Sequence, residues 1–194
     1  MAGPTKLNLK IYQGSTFRET IRWESALKVY APITNISKSA PMVVTASNHG
    51  VPAGWRVKIN GAIGMKEANT AEYITASEVS ATAVTFNSIN SLAFSTYTGG
   101  GVLEYNQPVD LAGYTARMQI REKVTSETVL ETLTTSNGKI LINNTSKTIS
   151  LILSAASTEA YTWKSGVYSL EMEKEGVVVP FIYGSVVVER EVTR

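Results

Sequence analysis

The chain has 194 residues, enough for one large or two small domains, each able to bury a core of its own. Its 18 basic and 16 acidic residues leave a formal charge of +2 with no basic stripe to neutralise a phosphate backbone, so no nucleic-acid partner is expected. Cysteine is absent, which removes disulfides and thiolate metal sites. No run approaches the roughly 20 apolar residues that span a bilayer, so no membrane partner is expected either. Residues Met1 to Lys6 lack a long apolar stretch, and export by a conventional signal is not expected.

Leu7–Tyr12 and Thr16–Trp23 read as two strands joined at Gln13-Gly14-Ser15, with Phe17, Ile21 and Trp23 sharing one parity. They are expected to form a hairpin. An isolated hairpin is marginal in water, so the pair is expected to join a larger sheet. Between about Ala31 and Tyr105 the texture changes to short strands, small residues and frequent glycines. Met42–Thr45, Trp55–Ile59 and Ala83–Phe86 are the strand-like runs there, and the segment closes on Tyr97-Thr98-Gly99-Gly100-Gly101. This predicts a discontinuous outer domain, residues 1–30 plus 106–194, carrying an inserted small β module over residues 31–105.

Beyond the insert, Thr115–Arg121 alternates apolar and polar residues, the period of a strand with one buried face. Ile149, Leu151 and Leu153 repeat the signal. Ser154 is placed to cap a short helix over Ala155–Tyr161, with Tyr161 or Trp163 packing over a sheet end. Gly166–Glu173 then runs through Glu175-Gly176 and out to Glu189, a long antiparallel hairpin turning at Glu-Gly. Pro180 and Gly184 within its second arm predict an edge position or a bulge rather than a central strand.

Reactive residues are scarce. His49 is the only histidine and Asp110 the only aspartate, and no Gly-x-Ser-x-Gly elbow surrounds a serine, so a catalytic triad is not expected. His49 reads as a turn residue bonding locally and Asp110 as a turn cap. One histidine without cysteine gives no zinc site, one aspartate gives no calcium loop, and Gly99-Gly100-Gly101 lacks the lysine and helix of a phosphate cradle; no cofactor is expected. Glu171, Glu173, Glu175, Glu189 and Glu191 crowd the C-terminal hairpin. Glu171 and Glu173 are opposite in parity to Tyr168, Leu170 and Met172, so they belong to a polar face rather than a glycosidase pair. Arg117, Gln119 and Arg121 form a similar row that can meet them across a sheet or between subunits. Trp23, Trp55 and Trp163 with nine tyrosines keep carbohydrate recognition open, although such rings more often pack cores.

The series Tyr12-Gln13-Gly14-Ser15-Thr16-Phe17, Pro108 to Arg121 with its Asp110-Leu111-Ala112-Gly113-Tyr114 segment, Ile149–Ser154, Trp163 and Gly166–Glu171 resembles a β-sandwich domain of tailed bacteriophages. Such domains occur in baseplate, tail-tip and fibre-attachment proteins. The insert is similar to a small β module of phage tail and adhesin proteins, through Ile33-Thr34, Val43–Ala46, His49-Gly50, Gly54, Val57, Ile59, Gly61, Gly64-Met65, Asn69, Phe86 and Tyr97–Gly100. The resemblance implies an all-β fold: an antiparallel, Ig-like β-sandwich with an inserted small β-barrel-like module. It also implies a non-enzymatic virion component of a tail, baseplate, fibre attachment or neck, assembled in the host cytoplasm.

The expected partners are other tail or neck proteins and further copies of the chain in a symmetric ring, with no catalytic residues to carry over. Arg117, Arg121, Glu171, Glu173 and Glu175 are the expected subunit contacts. The alternative is a host-surface glycan-binding adhesin module, reading its ligand through the loops near Asn48–Gly54 and Asn87–Tyr97.

Overall fold

The computed structural model describes residues 3–190. In chain order the strands are β1 (Thr5–Lys6), β2 (Leu9–Tyr12) and β3 (Phe17–Ile21). Then follow β4 (Glu24–Pro32), β5 (Asn35–Ile36), β6 (Met42–Thr45), β7 (Arg56–Asn60), β8 (Ile74–Thr75), β9 (Glu78–Val79), β10 (Ala83–Phe86) and β11 (Val102–Pro108). The chain continues through β12 (Thr115–Arg121), β13 (Val129–Thr134), β14 (Ile140–Asn143), β15 (Thr148–Leu153), the helix α1 (Ala155–Glu159), β16 (Ser165–Lys174) and β17 (Val177–Glu189). The fold is all-β and divides into two compact units, one ending at Arg22 and resuming at Asp110, the other Trp23–Val109.

The divisions fall at Arg22/Trp23 and Val109/Asp110, not at residues 30/31 and 105/106. The cause is the pairing of β4 with β11. These strands run antiparallel from Pro32 opposite Val102 to Glu24 opposite Pro108, so the way in and the way out of the second unit form one ribbon.

The first unit is a β-sandwich. One sheet has the order β1-β17-β16-β12-β13, with β2 also on β17; the other has the order β14-β15-β3. The alternation read from sequence is the burial pattern found. Ala116, Met118 and Ile120 of β12, Tyr168, Leu170 and Met172 of β16, and Ile149, Leu151 and Leu153 of β15 are all buried. Removing about 25 cal/mol per Å² of such apolar surface from water is the main force holding the sheets.

Three expectations need correction here. The N-terminal strands are not a hairpin: β2 pairs with β17 and β3 pairs with β15, so Gln13-Gly14-Ser15 carries the chain from one sheet to the other. The large sheet is not wholly antiparallel, since both β1 and β2 run parallel to β17. The helix stops at Glu159, short of Tyr161, though Ser154 caps it as expected by accepting the Ser157 N–H at 3.1 Å.

The turn and Pro180 match expectation, while Gly184, expected at an edge or a bulge, is a fourth correction. The hairpin turns at Glu175 (φ 53°) and Gly176 (φ 78°), two left-handed residues that suit a two-residue turn between twisted strands. Pro180 sits beside the register shift of the β16–β17 ladder and before β1 begins to pair at Ile182. Its missing N–H therefore falls at a bulge on the uncovered stretch of β17. Gly184, by contrast, lies within the covered stretch, paired to Tyr168 on one side and crossed by Leu7 on the other.

The second unit is barrel-like: two four-stranded sheets, β5-β6-β10-β9 and β4-β11-β7-β8, around a core that includes Trp55, Phe86, Met42, Met65, Ile59 and Leu103. The chain passes straight from β4 to β5, where Ile33 N–H donates to Gly101 O and Thr34 N–H to Thr45 O. Beside the cis Ala40–Pro41 bond, buried Ser91 lies within hydrogen-bond distance of the Ser37 and Ser39 carbonyls and accepts the Ser39 N–H.

Candidate functional site

The five residues expected as subunit contacts lie in the first unit, but they do not form one cluster. Arg117 on β12 sits directly opposite Glu171 on β16, and its Nε donates to the carboxylate at 2.7 Å. Glu173, opposite Thr115, shares that solvent face with them. A shallow depression lined by Thr115, Arg117, Thr134, Ser136 and Glu173 opens beside the pair.

Arg121 is at the other end of β12, about 20 Å from Glu173 at roughly 3.4 Å per residue. Its guanidinium donates to Ser126 O at 2.6 Å, Glu127 O at 3.2 Å and Gln119 Oε1 at 2.8 Å. It therefore ties down the loop between β12 and β13. Glu175 is at the hairpin tip, and Glu191 lies outside the described residues. The ion pair thus closes across the sheet within one chain. At 59% and 33% side-chain exposure it is screened by solvent and contributes little to stability.

The same face carries an apolar row that the charge pattern did not point to. Val178 (40% exposed), Pro180, Tyr183 (45%) and Val187 (44%) of β17 face solvent beside Glu173, Glu171, Ser169 and Ser165 of β16. The signal in the sequence is the nearly unbroken apolar run of β17. A one-faced strand would alternate, so the excess apolar residues mark the second face as well.

Two edge strands of this sandwich, β13 and β3, are guarded. In β13, Thr132 and Thr134 direct their backbone groups away from β12, and the chain's own side chains take them. Thr132 N–H donates to Glu131 Oε1 at 2.8 Å, Thr134 N–H to Asn137 Oδ1 at 2.9 Å, and Asn137 Nδ2 donates to Thr132 O at 3.0 Å. On β3, Glu19 stands opposite buried Leu151, placing a carboxylate on the inward parity of an edge strand. Capped polar groups and inward charges both discourage strand addition.

Glu131 also anchors the sandwich side. Its carboxylate, 13% exposed, accepts Lys139 Nζ at 2.9 Å and the Tyr161 hydroxyl at 2.8 Å, while Tyr161 packs on Trp163 with centroids 4.8 Å apart. Burial pushes the Glu131 pKa up, but Lys139, Tyr161 and the Thr132 N–H overcome it and hold the carboxyl below its ordinary value. A depressed carboxylate stabilises the fold above its unfolded pKa of about 4.3, and that stability is lost as pH falls through the folded value. Urea titrations are expected to show stability dropping below about pH 4.5. In Glu131→Gln that acid-side slope should be shallower, because the titrating carboxyl is gone.

The other residues singled out in sequence have structural settings. His49 is 3% exposed; its Nδ1 accepts the Val51 N–H at 3.0 Å, so Nε2 donates to Ser80 O at 2.8 Å. Both ring nitrogens are committed, one locally as expected and one to a distant turn. The Tyr105 hydroxyl donates to the His49 carbonyl. Asp110 is exposed, and hydrogen bonding with Asn144 and with Lys147 lowers its pKa. Trp55 is wholly buried and is no ligand platform. Among the described residues no group of three His, Asp or Glu is arranged to hold a metal ion.

No family model matches this chain, and no curated protein matches it.

Proposed function

We propose that the chain is a structural component of a tailed-phage virion, from a tail, baseplate, fibre attachment or neck, that acts by assembly. The observation that carries the reading is the outer face of the large sheet. It is apolar along β17, polar along β16 and β12, and bounded on one side by the β13 edge, whose backbone groups are capped. A face of that composition suits docking between folded subunits, in which an apolar centre is rimmed by polar groups. The resemblance of Pro108–Arg121 and Gly166–Glu171 to phage β-sandwich domains supports the same reading. A ring of identical copies requires heterologous contacts that close.

Mass photometry on the purified chain, alone and mixed with phage tails, tests this. The expected result is discrete rings or saturable incorporation, weakened roughly tenfold or more by Tyr183→Glu with Val187→Glu, because a charge forced into a docked apolar face is left unpaired. Reversal of Arg117 and Arg121 to Glu should also impair assembly. A monomer that ignores tails at all concentrations would overturn the reading.

A further inference from the structure

In the second unit, the outer face of the β4-β11-β7-β8 sheet gathers three cations around one ring. Lys28 Nζ, Lys58 Nζ and Arg56 Cζ lie 4.8, 5.0 and 5.2 Å from the Tyr73 centroid. Two of these charges are matched. Arg56 holds Glu24 through two bonds of 2.7 and 2.6 Å, and Lys28 holds Glu104 at 2.9 Å and also bonds the Tyr73 hydroxyl. Lys58, in register with Glu104, makes no ion pair of its own among the described residues. The surplus is one positive charge on a preorganised surface.

The rest of the network fixes that surface. Asn60 Nδ2 donates to Glu104 Oε2 at 2.7 Å, and Asn106 Nδ2 donates to Glu24 Oε2 at 2.9 Å. Both carboxylates are largely covered, at 19% and 16% side-chain exposure. Tyr30, directly opposite Glu104 and on the same face, is 58% exposed and offers a flat ring to solvent. Side chains already held in place lose little entropy when a ligand arrives.

We propose that this face binds an acidic polysaccharide, with Lys58 and the outer N–H groups of Arg56 meeting a sugar carboxylate and Tyr30 stacking on the adjoining neutral sugar. Charge complementarity selects the occupant. A single unmatched cation is too little for a nucleic-acid backbone, which presents a charge at every residue, but it suits a glycan in which charged and neutral sugars alternate. An exposed aromatic ring beside donors serves the apolar face and the hydroxyls of a sugar. The site goes beyond the virion reading and does not depend on it. It is also distinct from the loop positions expected from sequence.

The test is calorimetric titration of the full chain at low salt with hyaluronan hexasaccharide, maltohexaose and a thymidine hexanucleotide. Saturable binding of the hyaluronan oligosaccharide, weakening with added salt, is expected, with no binding of maltohexaose. Lys58→Gln and Tyr30→Ala should each weaken it roughly tenfold, with thermal unfolding little changed, because Lys58→Gln removes the surplus charge without setting a second carboxylate opposite Glu104 and Tyr30 is exposed. The proposal is overturned by the absence of saturable hyaluronan binding, by affinity indifferent to Lys58→Gln, or by equal affinity for the hexanucleotide. Each outcome leaves the tail-incorporation experiment unaffected, so the two readings fail separately.

Discussion

Gly184→Val is expected to destabilise the first unit by about 3 kcal/mol, at the upper end of what overpacking costs. A Cβ at this position lies 2.0 Å from the Leu7 carbonyl oxygen and 2.8 Å from its carbon, both backbone atoms that no rotamer change can move. Leu7 must then leave its place, and three bonds leave with it. Leu7 N–H donates to Tyr183 O at 2.8 Å, the buried Tyr168 hydroxyl donates to Leu7 O at 2.7 Å, and Ser185 N–H donates to Asn8 Oδ1 at 3.2 Å. The stranded Tyr168 hydroxyl alone costs about 1–3 kcal/mol. Its pKa is raised by burial and by Glu19, so losing the proton is no escape at neutral pH.

The measurement is urea unfolding with hydrogen exchange. The Leu7 amide should lose protection, and so should the β1 and β2 amides that face β17. Gly138→Ala is the comparison. That glycine has φ 73° but open space around its missing Cβ, so only the left-handed backbone is penalised, at about 1 kcal/mol. Equal midpoints for the two variants would contradict this account of the crossover at Gly184.

Such a crossover illustrates what the sequence can and cannot convey. Alternation in Thr115–Arg121 and Ile149–Leu153 reports which side chains are buried, and burial of one face is a local property that survives any choice of partner. The Glu175-Gly176 turn was legible for the same reason, because left-handed residues at two successive positions are a local demand. Partner choice is not local. Leu9–Tyr12 and Phe17–Ile21 carry strand periodicity, yet nothing in Gln13-Gly14-Ser15 distinguishes a hairpin turn from a step between sheets.

The strand Glu24–Pro32 was hidden for a different reason. Its residues Ala26, Leu27 and Tyr30 are exposed and Lys28 faces a salt bridge, so apolar character does not mark its buried face. Missing it moved the predicted boundary away from Arg22/Trp23. The candidate contacts were legible as rows of one parity, and Arg117 with Glu171 does meet across the sheet. Arg121 shares that parity but is drawn into a loop by carbonyls that no periodicity reveals. The Tyr73 cluster depends on a short edge strand bringing residues far apart in sequence to one ring, which spacing alone does not show.

Trp55→Ala is expected to be the most damaging single substitution in the second unit, at about 3–5 kcal/mol. Trp55 is 0% exposed and leads into β7, where Val57 and Ile59 continue the same core. The loss has two parts. Truncating the indole leaves a cavity in the core that also holds Val44, Phe86 and Leu103, in a unit of β-strands whose ladders resist collapse. The Asn106 carbonyl also loses the Nε1 hydrogen bond of 2.9 Å, and Asn106 already carries a buried Oδ1 without a partner.

Trp55→Phe helps separate the parts, since it keeps most of the ring volume while removing the donor. It should cost about 1–2 kcal/mol if the hydrogen bond contributes as bonds to buried carbonyls usually do. Circular dichroism in urea gives both midpoints, and hydrogen exchange at Val57, Ile59 and Leu103 reports whether the loss is seated in this core. If the phenylalanine variant were as unstable as the alanine one, the bond to Asn106 rather than the filled volume would be what holds β7 and β11 in place.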